Sequence, residues 1–181
     1  MKIDKQKTSE GCLAVSLIAL LSQKAIKLKE EDEETILFGG LKSLKLDFST
    51  GHLIYLAKKS PNLIFEQYID NSLYQKDLMR LKIPKNIRIK HKKITLKFLK
   101  GITKEGSVII YIDKYQLGEI FHWPHFMVLD YVDDKKAIIR DPWNGKETEL
   151  EAKKLIKSII SLRNKVKVCP KAIRILKPKI Y

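Results

Sequence analysis

The run Gly11-Cys12-Leu13-Ala14-Val15-Ser16-Leu17-Ile18-Ala19-Leu20-Leu21 is almost wholly apolar and follows directly on the polar segment 6–10. Such a continuous run predicts a buried helix rather than a surface helix, over about residues 12–24. Thr8 and Ser9 are good N-caps, and Glu10 adds a negative charge near the helix start. Cys12 then lies in the first helical turn, where free backbone N–H groups and the helix dipole favour the thiolate over the thiol.

Length and composition fit one globular domain. The chain has 181 residues, 44% of them hydrophobic, which predicts a single domain over 1–181 with a real core. Its two cysteines, Cys12 and Cys169, are too few for a disulfide framework, and a reduced cytosolic pair fits better than one bridge. Abundant Lys, Glu and Ile fit heat adaptation, although an A/T-rich genome would produce the same bias.

The net charge of +15 raises the question of a nucleic-acid, membrane or acidic partner. Most of this charge is lysine spread evenly along the chain, without the interleaved aromatics of a stacking platform. Nucleic-acid binding is therefore the least favoured function. The N-terminus resembles a signal peptide in outline, but Asp4 and Glu10 interrupt its basic region and no cleavage site follows. With no apolar run long enough to span a bilayer, we expect a cytoplasmic protein.

The order of elements predicts an α+β fold. Helices are expected first, in a helical lobe of about 1–105, and strands next, in a sheet lobe of about 106–181. The acidic run 30–34 suits the solvated start of a second helix, which Gly39-Gly40 then breaks or bends. Residues 125–132 and 136–141 form a hairpin by pattern and turn chemistry. Thr148 or Glu149 to Ile160 is expected to be an amphipathic helix.

Four residues supply the parts that acyl transfer by a thiol requires. Cys12 is the candidate nucleophile and His125, at the start of a strand, the candidate base. Asp141 lies across the predicted hairpin, within reach of His125, and can fix its tautomer. Gln6 is the candidate oxyanion donor, together with the backbone N–H of Cys12. Each has a structural alternative: a buried thiol, a strand-ending turn at Asp141-Pro142, or a surface glutamine.

Other polar and aromatic residues are less specific. Trp123, Trp143 and Tyr115 flank the proposed histidine and acid, where they either wall a substrate groove or seal the sheet edge. His122 and His125 lack further ligands at matching spacing, so the sequence predicts no metal and no cofactor. His52 and His91 are expected to be solvated, and Cys169 to be structural.

The motifs resemble a known family. Gln6, Gly11-Cys12-Leu13-Ala14-Val15-Ser16-Leu17, His125-Phe126-Met127-Val128-Leu129 and Asp141-Pro142 are similar to the papain-like double-glycine leader peptidases, family thirty-nine of the cysteine peptidases, and their stand-alone relatives. The resemblance implies a papain-like α+β fold, with N-terminal helices packed on a C-terminal antiparallel sheet. It also implies a catalytic set of Cys12, His125, Asp141 and Gln6, a peptide or protein substrate, and a membrane transporter as partner.

The family pattern is not matched throughout. Many members carry Asp before the cysteine and Gly after it, where this chain has Gly11 and Leu13, and members that process leaders are fused to a transporter. Three functions therefore follow. The first is a thiol hydrolase of a peptide or amide, and the second a catalytically silent papain-like peptide-binding module. The third and least favoured is an electrostatic binder of nucleic acid.

Overall fold

Among the described residues, seven strands form one sheet, and helices cover both of its faces. The structure is a computed structural model that describes residues 2–26, 32–44 and 47–177. The helices are α1 (Cys12–Gln23), α2 (Glu33–Ser43), α3 (Phe48–Lys59), α4 (Ser72–Met79), α5 (Leu96–Thr103) and α6 (Ala152–Ser161). The strands are β1 (Ile64–Ile69), β2 (Ile87–His91), β3 (Val108–Asp113), β4 (Pro124–Val132), β5 (Lys136–Asp141), β6 (Lys146–Glu151) and β7 (Lys171–Leu176). Within the described residues, no helix is long and apolar enough to cross a membrane.

The sheet has the strand order β2-β1-β7-β3-β4-β5-β6. β1 and β2 pair in parallel, and all the other neighbours in this order are antiparallel. The expectation of an α+β chain with an antiparallel sheet is confirmed at this level. The sheet also takes in β1 and β2, so it extends across the lobe boundary expected near residue 105.

Alternating side chains along β4 divide the core between the two faces of the sheet. Phe126 and Val128 belong to the cluster formed with α1 and α3, whereas Met127 and Leu129 belong to the cluster formed with α5 and α6. A strand buried on both faces is consistent with the nearly continuous apolar sequence of β4. The N-terminal helices therefore cover one face, as expected, and two later helices cover the other.

The prediction that Gly39-Gly40 breaks or bends the second helix is wrong. α2 continues through both glycines to Ser43. The glycines instead allow α3 to pack closely against α2. A Cβ atom on Gly39 would lie 2.4 Å from the Tyr55 ring, and one on Gly51 of α3 would lie 2.4 Å from the carbonyl oxygen of Gly40. These glycines therefore serve helix packing, which a local pattern does not distinguish from a bend.

His52 is buried at this helix contact, so the expectation that it is solvated is also wrong. A Cβ atom on Gly40 would lie 2.5 Å from its Nδ1, which is 2.7 Å from the carbonyl oxygen of Phe48. Burial lowers the pKa of His52, which favours the neutral ring. His91, by contrast, is exposed as expected.

The helix expected from Thr148 or Glu149 begins later. Residues 146–151 form β6, which pairs with β5 from Asp141↔Lys146 to Lys136↔Glu151. α6 starts only at Ala152, and its buried face includes Leu155 and Ile159. β6 is a largely exposed edge strand, so its sequence carries little apolar alternation and its pairing with β5 decides its conformation.

Replacing Gly51 by Ala should destabilise the protein by about 1–3 kcal/mol, because its Cβ would meet the backbone of Gly40 rather than a movable side chain. Gly101→Ala is the matched control, since Gly101 lies in α5 with no atom within 4 Å of its Cβ position. The control should gain up to about 1 kcal/mol of helix propensity. Urea unfolding followed by circular dichroism measures both; equal effects would contradict the proposed helix contact.

Candidate functional site

The end of β3, the start of β4, the end of β5 and the start of α1 form the candidate site. β3 ends at Asp113 beside the start of β4, since Asp113 pairs with Pro124. β4 and β5 pair from Val132↔Ala137 to Val128↔Arg140, so His125 and Asp141 both lie beyond the last pair. The site is therefore built where the backbone pairing of β4 and β5 has stopped and side chains take over.

His125 and Asp141 make the contact that the hairpin predicted. The Nε2 atom of His125 is 2.8 Å from Oδ1 of Asp141, and both side chains are almost completely buried. With Nε2 bonded to a carboxylate, Nδ1 is the ring nitrogen available to a neighbouring group. Asp141-Pro142 also ends the strand in a turn, which was the alternative role predicted for this dipeptide. The Gly145 N–H donates to the Asp141 carbonyl oxygen at 2.8 Å.

Asp141 has two further partners. The backbone N–H of Trp143 donates to Oδ1 at 2.8 Å, and the Nζ atom of Lys114 lies 3.1 Å from Oδ2. Burial alone would raise the pKa of Asp141, but the bond from His125, the Trp143 N–H and the charge of Lys114 together bring it below its ordinary value. Asp141 is therefore held as a carboxylate that accepts from His125.

Cys12 lies at the start of α1, as predicted, and reaches the first residues of β4. The backbone N–H groups of Phe126 and Leu13 lie near its sulfur and lower the pKa of the thiol. Phe126 directly follows His125, so Cys12 lies near the end of the strand that carries the imidazole. The sulfur is also close enough to Asp141 and Glu10 to feel their negative charges. Both Cys12 and Cys169 are free thiols.

The Cys12 thiol differs from the expected low-pKa form. Burial raises the pKa of Cys12 to about 11, and the nearby backbone N–H groups of Phe126 and Leu13 offset this only in part. The helix N-terminus is capped by Gly11 with no side-chain cap, so the expectation that Thr8 and Ser9 cap it is wrong. Desolvation of the thiolate therefore outweighs the favourable helix end, and the resting thiol needs a base to become a nucleophile.

A buried carboxylate holds the segment that leads into Cys12. Glu33 accepts from the backbone N–H groups of Lys7 and Thr8 at 2.6 and 2.8 Å, and from the Thr8 hydroxyl at 2.7 Å. A Cβ atom on Gly11 would meet Oε1 of Glu33, so a side chain at this position would displace the carboxylate. The acidic run was expected to be solvated, and for Glu33 that expectation is wrong; residues 30 and 31 lie outside the described residues.

Gln6 is buried beside the site, and its backbone N–H donates to the carbonyl oxygen of Pro142 at 2.6 Å. Its side-chain amide donates to the carbonyl oxygens of Thr8 and Ser9 at 2.8 and 3.2 Å. Both amide hydrogens are thus used within its own loop, and Oε1 is buried with no partner among the described residues. The structure gives Gln6 a role in shaping this loop, and donation to an oxyanion remains a prediction.

The three aromatic residues separate into two groups. The Trp123 ring lies 5.9 Å from the His125 ring and 4.7 Å from the Trp143 ring, edge to face. Tyr115 instead packs against His122, with ring centroids 4.4 Å apart. Trp123 and Trp143 therefore border the candidate site, whereas Tyr115 belongs to the adjoining loop.

Two polar interactions near the site were missed from the sequence. Lys114, an ordinary lysine by its sequence context, is buried against Asp141. Asp113 is buried and accepts from Ser161 and from the His122 ring, each at 2.6 Å. Strand alternation places Asp113 at the end of β3, but nothing local identifies its partners, which come from a loop and from α6.

Glu33→Gln should loosen the segment before Cys12, because an amide NH₂ would then face backbone N–H donors that a carboxylate accepts from. We expect the amide hydrogens of Lys7 and Thr8 to exchange at least tenfold faster in this variant, a change of about 1.4 kcal/mol. Glu34→Gln is the control, since Glu34 is the exposed neighbour on α2. Hydrogen exchange read by mass spectrometry or NMR tests the claim; unchanged protection in Glu33→Gln would refute it.

Comparison with known proteins adds no family to this geometry. No protein-family model matches the chain, and no curated protein matches it. The functional proposal therefore rests on the positions of Cys12, His125 and Asp141 and on the chemistry that these groups can perform.

Proposed function

We propose that this protein is a papain-like thiol hydrolase that cleaves a peptide or another amide. The observation that carries the proposal is the 2.8 Å bond from His125 to Asp141, which lies close enough to Cys12 for the Asp141 charge to act on its sulfur. The proposed nucleophile, base and orienting acid come from three separate elements. Thiol-dependent acyl transfer requires these three groups in one site.

In the first half-reaction the Cys12 sulfur attacks the substrate carbonyl carbon, and its proton passes to His125, where Nδ1 is the free ring nitrogen. The tetrahedral oxyanion accepts from the backbone N–H of Cys12, because the first N–H groups of a helix have no intrahelical acceptor. Gln6 is the proposed second donor. As the intermediate collapses, the C–N bond breaks and the amine leaves with the proton from His125.

In the second half-reaction water replaces the amine. His125 takes a proton from water as its oxygen bonds to the acyl carbon, and the C–S bond then breaks. The proton returns to the thiolate, which restores the resting thiol. Asp141 holds the same ring tautomer in both halves and balances the charge of the transient imidazolium.

The peptide substrate and the transporter partner come from the resemblance to double-glycine leader peptidases. The two tryptophans beside His125 support a bound chain rather than a small polar substrate, since they offer apolar contact area at the mouth of the site. A papain-like module that binds peptide without cleaving it is the second candidate. Two observations favour it: the raised pKa of Cys12 and the engaged amide of Gln6.

Selective alkylation distinguishes an activated thiol from a silent one. Iodoacetamide at neutral pH should modify Cys12 at least tenfold faster than Cys169, because burial raises the pKa of both thiols and Cys12 has the proposed base, His125, bonded to the neighbouring Asp141. His125→Ala should remove this difference, and His91→Ala, at an exposed histidine, should leave it unchanged. The modified residue is identified by peptide mass mapping. Equal, slow modification of both cysteines would exclude the hydrolase.

Cleavage itself is tested with a mixture of synthetic peptides that covers many residue pairs, analysed by mass spectrometry. The proposal expects new termini with the wild type and none with Cys12→Ser, whose hydroxyl is a far weaker nucleophile at this position. Selective alkylation together with peptide binding but without any cleavage would instead support the binding module.

A further inference from the structure

A buried lysine belongs to the candidate site although no step of the proposed reaction uses it. Lys114 comes from the helical turn Lys114–Leu117 that follows β3. Its Nζ atom lies 3.1 Å from Oδ2 of Asp141 and 2.8 Å from Oε1 of Glu119, and its side chain is only 6% exposed. The Trp123 ring lies 5.4 Å from the same nitrogen. Lysine is rarely buried to this extent unless it is paired.

We propose that Lys114 is a positioning residue that fixes the Asp141 carboxylate against His125 and places a positive charge on the oxygen of that carboxylate that faces away from the ring. The inference rests on the proposed thiol hydrolase, in which the proton moves from Cys12 to His125 as the sulfur attacks the substrate.

The positioning follows from how the carboxylate is shared. Oδ1 of Asp141 faces the His125 ring and the Trp143 N–H, whereas Oδ2 faces Lys114. With each oxygen held by a different partner, rotation of the carboxylate would break a bond on both sides. Lys114 thereby keeps Oδ1 aimed at Nε2 and fixes which tautomer His125 can adopt.

The electrostatic effect follows from the sign and proximity of the charge. A negative Asp141 favours the imidazolium form of His125, and a lysine ammonium on the other oxygen cancels part of that attraction. The Lys114 ammonium and a His125 imidazolium would also repel each other directly. The raised pKa of the half-buried Cys12 thiol agrees with this picture, since burial disfavours a thiolate that would stabilise an imidazolium.

Glu119 opposes Lys114 from the solvent side. Its carboxylate bonds to the same Nζ atom and is 40% exposed, so it offsets part of the lysine charge. Removing the charge of Glu119 should therefore strengthen the effect of Lys114, whereas removing Lys114 should abolish it. A residue with only a packing role would not give opposite effects in these two variants.

Other titratable groups lie around the site. Glu10 before α1 and Tyr111 of β3 lie near Cys12, Lys114 contacts Asp141, and Glu119 contacts Lys114. A cavity of about 700 Å³ beside Lys114 and Asp141 is also lined by Glu149 and Glu151 of β6 and by Lys154 of α6. These last three are exposed, so solvent screens them, and they are the same in every variant compared.

The test is the pH profile of Cys12 alkylation by iodoacetamide, measured on the full chain as wild type, Lys114→Met and Glu119→Gln. Lys114→Met should shift the rise in rate to higher pH by about one unit, because removal of a nearby cation makes proton loss from the Cys12 thiol less favourable. Glu119→Gln, which removes a nearby anion, should shift it by a smaller amount to lower pH. Lys114→Arg keeps the charge, so the midpoint of its pH profile should equal that of the wild type.

Lys100→Met is the matched control, because Lys100 pairs with Asp134 at 2.6 Å on the surface, at the other end of the β4–β5 hairpin. It should not move the midpoint. If Lys114→Met and Glu119→Gln change only the rate, or shift the midpoint in the same direction, the inference is wrong and Lys114 is a packing residue. If wild-type Cys12 shows no preference over Cys169 at all, the proposed hydrolase fails instead.

Discussion

The bond between His125 and Asp141 joins two strands at a point where their backbone no longer pairs. The last backbone pair of β4 and β5 is Val128↔Arg140, and beyond it the two strands are connected by side chains. A buried imidazole and a buried carboxylate are costly unless they satisfy each other. The same bond therefore stabilises the end of the sheet and gives His125 the fixed orientation that a general base needs.

The opening beyond the last pair is also what admits the cysteine. α1 starts there, and the Phe126 N–H lies close enough to the Cys12 sulfur to lower the pKa of the thiol. The helix start is in turn fixed by Glu33, which holds the preceding segment, and by Gly11, whose Cβ position the Glu33 carboxylate occupies. The thiol is thus placed by a chain of contacts that begins in α2.

Burial limits the charge that the proposed site can hold before a substrate arrives. It makes an isolated Cys12 thiolate costly, which agrees with the direction of its pKa. One oxygen of Asp141 faces His125, and Lys114 binds the other. In the proposed reaction, the proton therefore leaves Cys12 as the sulfur attacks the substrate.

The sequence was sufficient for the elements whose patterns are local. The continuous apolar run after Cys12 and the turn chemistry of the β4–β5 hairpin predicted α1 and the contact of His125 with Asp141, because each depends on residues close in the chain. It was insufficient where a distant partner decides the outcome. Glu33 resembles any acid at a helix start, Lys114 resembles any surface lysine, and β6 is a strand only because β5 lies beside it.

The packing glycines of α2 show that a distant contact can also overturn a local prediction. Gly39 and Gly40 are typical of a bend, and only the close approach of α3 shows that they are packing positions. Local chemistry therefore predicted which groups could react, and tertiary contacts determine which of them are charged, held or buried.

The central claim is that Cys12 becomes acylated with His125 as its base. Its most direct measurement is the reaction with p-nitrophenyl acetate, a small ester that does not depend on substrate specificity, followed by intact mass and peptide mapping in mildly acidic solution. The account predicts a burst of p-nitrophenolate, one acetyl group on Cys12 that is lost again at neutral pH, and loss of the burst in His125→Ala. No acetyl group on Cys12, or an equal amount on Cys169, or a burst that survives without His125, would contradict it.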